Sequence, residues 1–321
     1  MKRQHQILAA VLVVQIALSA FVFWPRSAAT GGEPLFPELE SGDVVVLTVT
    51  DDQGESTALR KVEGEWVVPD ADDYPADGSK IAPVLENIAA LSTGRLVTRT
   101  DASHERLQVA GDGFARRLDF ETADGAAYTV YLGSSPSYGT SHFRLEGQDE
   151  VYLTGELSTF DVSGAVASWV DAAYFTLDQN ELKQVTLENG SGAFTFVKDD
   201  EGNWTWTELE ADEELATENV RTVVSRATSV TLLRPLGTGE DAAYGLDDPL
   251  ATVTLETEDR TITLRVGAQD PDDSSYVVKV SESSYYVRVN EYSVQPLVEN
   301  TRDDFVQQPT PTPEVAPTPE G

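Results

Sequence analysis

The sequence runs through one series of features twice, and a chain that repeats itself folds into one architecture used two times. Copy one spans residues 43–175 and copy two residues 182–305. Copy one opens Val44-Val-Val-Leu-Thr-Val-Thr50 and copy two Gln184-Val-Thr-Leu-Glu188. Each continues into a strand, an acidic Gly turn and a Trp: Lys61-Val-Glu-Gly-Glu-Trp66, and Asp199-Asp-Glu-Gly-Asn-Trp204. A helical stretch follows in each. Ser79–Ser92 puts Ile81, Val84, Leu85, Ile88 and Leu91 on one face at 3 and 4 spacing, and Thr217–Thr231 does the same with Val220, Val223, Val224 and Ala227. Asp77 is placed to cap the first helix, with Pro83 in its first turn.

Each helix feeds a short strand containing Arg and Leu, at Gly94–Thr98 and Thr231–Arg234. Paired strands come next. Those starting at Phe114 and Ala126 match those starting at Ala251 and Arg260, closed by Gly133 and Gly267. Strands from Ser141 and Glu150 match strands from Ser275 and Ser284. Thr252, Thr254 and Glu256 alternate with Val253 and Leu255, the period of a half-buried antiparallel strand. Helical turns near Ser163–Asp171 and Val294–Asn300 close the copies. The predicted class is α+β: two tandem homologous domains, each a mainly antiparallel sheet with one main covering helix.

The ends read differently. Lys2 and Arg3 precede Ile7–Trp24, 18 residues broken only by Gln15 and Ser19. As helix this run is about 27 Å long, enough for a hydrocarbon core. The positive flank keeps residues 1–6 cytoplasmic and sends the bulk of the chain out of the cytoplasm as a single-pass cell-membrane protein. A cleaved signal peptide is the competing reading, and it exports the same residues. Residues 25–42 read as a linker, and 306–321 as a disordered Pro/Thr-rich tail.

Composition excludes more than it selects. The net charge is −33, from 55 acidic and 22 basic residues, so nucleic acid is not an expected partner. Cys is absent, which removes disulfides, thiolate metal sites and cysteine nucleophiles. His104 and His142 are the only histidines beyond the N-terminal tail, and neither has a zinc-like spacing. Gly-x-Ser-x-Gly does not occur, and a pair of carboxylates among 55 acids selects nothing. Asp70–Asp73, Asp199–Gly202 and Asp270–Asp273 are acidic loops with the hard oxygens that calcium takes, but also with ordinary turn composition. Trp66 and Trp204 read as core aromatics.

Copy two contains Asp241-Ala-Ala-Tyr-Gly-Leu-Asp-Asp-Pro249, then Val-Thr-Leu, Arg265-Val-Gly267 and Tyr276-Val-Val-Lys279. This series resembles an uncharacterised bacterial domain-of-unknown-function family of single-pass membrane-anchored proteins, often encoded beside gliding-type ABC transporter components. Copy one carries Glu105-Arg-Leu-Gln-Val-Ala110 at the Tyr-Gly-Leu position, a weaker match. The Tyr244–Pro249 element itself reads as a turn, with Gly245 free to take positive φ. The resemblance brings no catalytic residues, cofactor or metal. It implies a non-enzymatic accessory or scaffold protein beside an ABC transporter permease. The alternative is a surface binding module for glycan or for calcium-dependent adhesion.

Overall fold

The computed structural model describes residues 32–307. The apolar run at 7–24 and nearly all of the Pro/Thr tail lie outside them. Among the described residues no helix is long and apolar enough to cross a membrane.

In chain order, copy one supplies β1 (Val44–Asp51), β2 (Ser56–Val62), β3 (Glu65–Val68), β4 (Tyr74–Pro75), α1 (Gly78–Ala89), β5 (Leu96–Thr98), α2 (His104–Leu107), β6 (Arg116–Thr122), β7 (Ala127–Leu132), β8 (Ser141–Leu145) and β9 (Val151–Thr154). β10 (Ala173–Thr176) lies at the end of copy one, and copy two follows with β11 (Gln184–Asn189), β12 (Gly192–Lys198), β13 (Trp204–Trp206), α3 (Thr217–Thr228), β14 (Ser229–Gly237), β15 (Ala251–Glu256), β16 (Thr261–Gln269), β17 (Tyr276–Val280), β18 (Tyr286–Val289), α4 (Glu291–Glu299) and α5 (Arg302–Phe305). The strands lie in two nine-stranded sheets. The described residues divide into two compact units: 32–55 with 81–164, and 56–80 with 165–307.

In the first unit the strand order is β1-β6-β7-β8-β9-β5. In the second, β11-β15-β16-β17-β18-β14 appear in the same relation. The internal repeat is thus a repeat of topology. Strands of β-branched and aromatic residues pair antiparallel, and one face is apolar: Ala251, Val253 and Leu255 of β15 are buried, while Thr252, Thr254 and Glu256 are half-exposed. Both main helices bury the faces the spacing predicts, with Ile81, Val84, Leu85 and Ile88 on α1 and Val220, Val223, Val224 and Ala227 on α3. Asp77 Oδ1 accepts the Ser79 N–H at 2.9 Å, the bond of an N-cap.

Three expectations need correction. Pro83 is not in the first turn of α1 but is its sixth residue, because the helix starts at Gly78; it removes one bond of the helical ladder. The linker predicted for 25–42 is shorter than that. Within the first unit Leu35 N–H bonds Leu91 O at 2.8 Å, and the buried Phe36 ring sits edge-on to Phe120 and Tyr128 at 5.5 and 5.0 Å. An aromatic ring with two aromatic neighbours leaves water, so the chain is folded from about Pro34.

The third correction concerns Trp204. Register makes it the equivalent of Trp66, since Lys61 faces Trp66 and Lys198 faces Trp204, with each ammonium over its ring at 5.9 and 5.2 Å. Trp66 is buried, but Trp204 is only half-buried. Two residues on, Trp206 takes the core position that Val68 holds in copy one. Its ring meets Phe194, Phe196 and Phe305 at 6.0, 5.8 and 6.2 Å. Arg302, held bidentately by Glu213 at 2.8 and 2.6 Å, lies 5.4 Å over its face. Trp206→Ala should therefore cost about 3–5 kcal/mol in urea unfolding, the range for large core truncations. Trp204→Ala should cost less than about 2 kcal/mol.

Candidate functional site

Both copies build one local device at the end of their second central hairpin strand. In copy one α2 ends at Leu107, and Gln108 turns left-handed at φ 57°. In copy two the short helix Ala242–Tyr244, capped by the Asp241 carboxylate on Ala243 N–H at 2.8 Å, ends at Gly245, φ 64°. The carbonyl ending each helix then packs on a glycine of the sheet. A Cβ on Gly133 would lie 2.0 Å from Leu107 O, and a Cβ on Gly267 would lie 2.0 Å from Tyr244 O. Only glycine permits this approach. Glu105–Ala110 is therefore the structural counterpart of the Tyr-Gly-Leu element, although its residues differ.

The residue after the left-handed one enters a small apolar cluster. Val109 joins Leu107, Tyr131 and Val151, with Phe114 packed against them. Leu246 joins Val277 and Tyr286, with Leu236 and Tyr244 beside them. An arginine clamps the carbonyl of that residue in each copy. Arg144 Nε of β8 bonds Val109 O at 2.7 Å, and Arg265 Nη1 of β16 bonds Leu246 O at 3.2 Å. Residues 131 and 144 face each other across β7 and β8, and 265 and 279 face each other across β16 and β17. Each pair holds one cation over a tyrosine: Arg144 over Tyr131 at 4.7 Å, and Lys279 over Tyr286 at 4.6 Å.

The residues singled out in the sequence are bound into turns. His142 Nδ1 lies 2.7 Å from Ser134 O and 3.1 Å from Ser134 Oγ. A nitrogen that donates to that carbonyl is no base for the hydroxyl, so the pair is a strand-end clasp. His104 Nε2 bonds Asp149 O at 3.0 Å. Asp72 accepts Thr238 N–H at 2.7 Å and its hydroxyl at 3.0 Å, and these bonds hold its carboxyl below its ordinary range. Asp199 accepts the N–H groups of Asn203 and Glu201 at 2.8 and 2.9 Å, and is lowered chiefly by Asn203. Asp270 faces Arg288 at 3.3 Å, and Asp273 faces Arg234 at 3.1 Å. Among the described residues no three His, Asp or Glu side chains converge as a metal site. Burial pushes the Tyr74 phenol up to about 12, and its ring lies 4.7 Å from that of Tyr285.

Sequence reasoning passed over two aromatic residues of the first unit, Tyr138 and Phe160. They are 98% and 79% exposed, yet their rings lie 6.5 Å apart at 29°. The hint present in the sequence is the uncharged segment Ser134–Ser141 in so acidic a chain.

Gly133→Ala and Gly267→Ala should each lose more than about 3 kcal/mol in denaturant unfolding, because the new methyl must displace backbone. Asp199 gives a pH test. A carboxyl lowered in the folded state stabilises above its unfolded pKa, about 3.9, and that contribution is lost as pH falls through the lowered value. The stability gap between wild type and Asp199→Ala should be full near neutrality and close below about pH 4.

A model of a domain of unknown function, DUF4340, matches residues 66–242. The match starts at Trp66 and ends at Ala242, within the Asp241–Pro249 series and before its Tyr-Gly-Leu residues. No curated protein and no solved structure matches the chain. The matched span is more than half of the 321 residues, and the chain belongs to the DUF4340 family.

Proposed function

We propose that this chain is a non-enzymatic, membrane-anchored extracytoplasmic accessory protein that docks on an ABC-type transporter in the same membrane. The observation that carries the reading is the order of parts: a basic hexapeptide, an 18-residue apolar run, then tandem β-rich repeats. An anchor of that kind holds folded units beside the outer faces of membrane proteins and raises their effective concentration there, so modest interfaces suffice. The chemistry-bearing side chains support a structural role. His142 closes a strand end, the acidic loops accept backbone N–H groups or pair with arginines, and both arginine clamps serve turns.

Crosslinking of the full chain in native membranes, followed by mass spectrometry, tests the proposal. Permease subunits should be enriched over a control protein that carries the same anchor at equal abundance. Protease added to spheroplasts should remove everything beyond the anchor. A protected chain, or no enrichment of any transporter component, would overturn the reading.

A further inference from the structure

Tyr138 and Phe160 stand where the first unit has no structural need of them. Each occupies the tip of a turn tied by its own side chains. In the loop after β7, Thr140 N–H bonds Ser137 O at 3.1 Å, and Thr140 Oγ1 reaches Ser137 O at 2.8 Å and Ser137 Oγ at 3.0 Å. Gly139, at φ 71°, completes that turn and leaves Tyr138 outside it. After β9, Asp161 accepts both the N–H and the hydroxyl of Ser158 at 2.7 Å, and Asp161 N–H returns to Ser158 O at 3.1 Å. Leu157 and Val162, both buried, root this second turn and leave Phe160 at its crest. The turns are joined: Ser141 Oγ accepts Thr159 N–H at 3.2 Å and meets Ser135 Oγ at 3.3 Å. The two rings are thus presented on a preorganised base.

Exposing two neighbouring aromatic rings to water is unfavourable, and nothing in the fold is gained by it. The corresponding loop of copy two, after β16, is built from Asp270 and Asp273 paired with arginines, so this position in the sheet does not call for exposed aromatics. Charge narrows the ligand. Ser134–Ser141 carries no charged side chain in a protein of net charge −33, and the Asp161 carboxylate is turned onto Ser158. The site offers ring faces and hydroxyls, and the carboxylate beside Phe160, Asp161, is engaged by Ser158. That matches the two-sided character of a neutral sugar, whose C–H face stacks on aromatic rings and whose hydroxyls bond serine and threonine.

Register places the site away from the chain's point of entry. Val44, the first residue of β1, pairs with Thr122, whereas Arg116 at the other end of β6 pairs with Leu132. Thr154 pairs with Ser141 at that same far end. The rings therefore lie about 20 Å along the strands from the entry point, at the end opposite the one the N-terminal segment reaches. We propose that the Tyr138–Phe160 platform of the first unit binds a neutral polysaccharide, a function separate from the transporter docking proposed above.

Full-length protein in detergent should be retained on at least one of three insoluble neutral polysaccharides: cellulose, chitin or an α-glucan. Retention should survive 0.5 M salt and be released by the soluble oligosaccharide of the same linkage. Tyr138→Ser with Phe160→Ser should lower retention at least tenfold and leave the melting temperature unchanged, since both rings are exposed. Failure to bind all three polysaccharides would overturn the proposal, as would equal retention of the double variant. Ring-dependent flotation with phosphatidylcholine vesicles, or ring-dependent crosslinking to a protein without sugar binding, would likewise overturn it in favour of lipid or protein.

Discussion

The architecture of each copy depends on a helix-terminal carbonyl resting on a glycine of the sheet. A short helix must end over the sheet and hand the chain back to a strand. Its last carbonyl would strike any side chain at position 133 or 267, so the sheet gives up one Cβ there. Close approach then lets the next residue, Val109 or Leu246, drop into a small cluster on that side of the sheet. The left-handed residue between them makes the reversal, at about 1 kcal/mol or less where it is glycine and somewhat more where it is Gln108. Helix end, glycine and cluster are one unit: remove the close approach and the apolar residue cannot reach its pocket.

The clamp on this unit shows how the copies have diverged without losing the fold. The carbonyl after the left-handed residue needs a donor once it is covered, because an unmet buried acceptor costs roughly 1–3 kcal/mol. Copy one meets it from β8 with Arg144, and copy two from β16 with Arg265. The donor is the same group on non-equivalent strands, since β16 corresponds to β7 and not to β8, and the cation that is left over a tyrosine changes from Arg to Lys accordingly. Geometry is kept by the bond, not by the position of the residue that makes it.

This explains what could be read in the sequence and what could not. Strand periodicity and the two helix faces were legible, since Ile81, Val84, Leu85 and Ile88 need only 3.6-residue spacing to be placed. The closing glycines Gly133 and Gly267 were legible as landmarks, but not as seats for a carbonyl. Glu105–Ala110 looked unlike Tyr244–Pro249 because a left-handed cap tolerates Gln as well as Gly, so backbone identity outlasted residue identity. Trp204 and Trp206 lie on one face of the same short strand, and no local pattern says which is buried. Phe305, 99 residues beyond Trp206, settles it by packing on Trp206. Tyr138 and Phe160 escaped notice for the same reason, since exposure at a turn tip is decided by long-range bonds such as Thr159 N–H to Ser141 Oγ.

Charge gives the same sites their selectivity. A protein at −33 raises a negative potential that keeps anionic polymers at a distance, and this field is screened within about 8–10 Å at ordinary ionic strength. Inside that distance local chemistry decides. The Asp270–Asp273 loop of copy two closes on Arg234 and Arg288, so its field is largely internal. The loop Ser134–Ser141 in copy one has no charge to close, and what it shows a partner is ring face and hydroxyl. One topology used twice has therefore produced one corner that is electrostatically self-contained and another that is left open for contact. Duplication permits this asymmetry, because the carbonyl-on-glycine unit holds each copy's turn in place whatever its loops are made of.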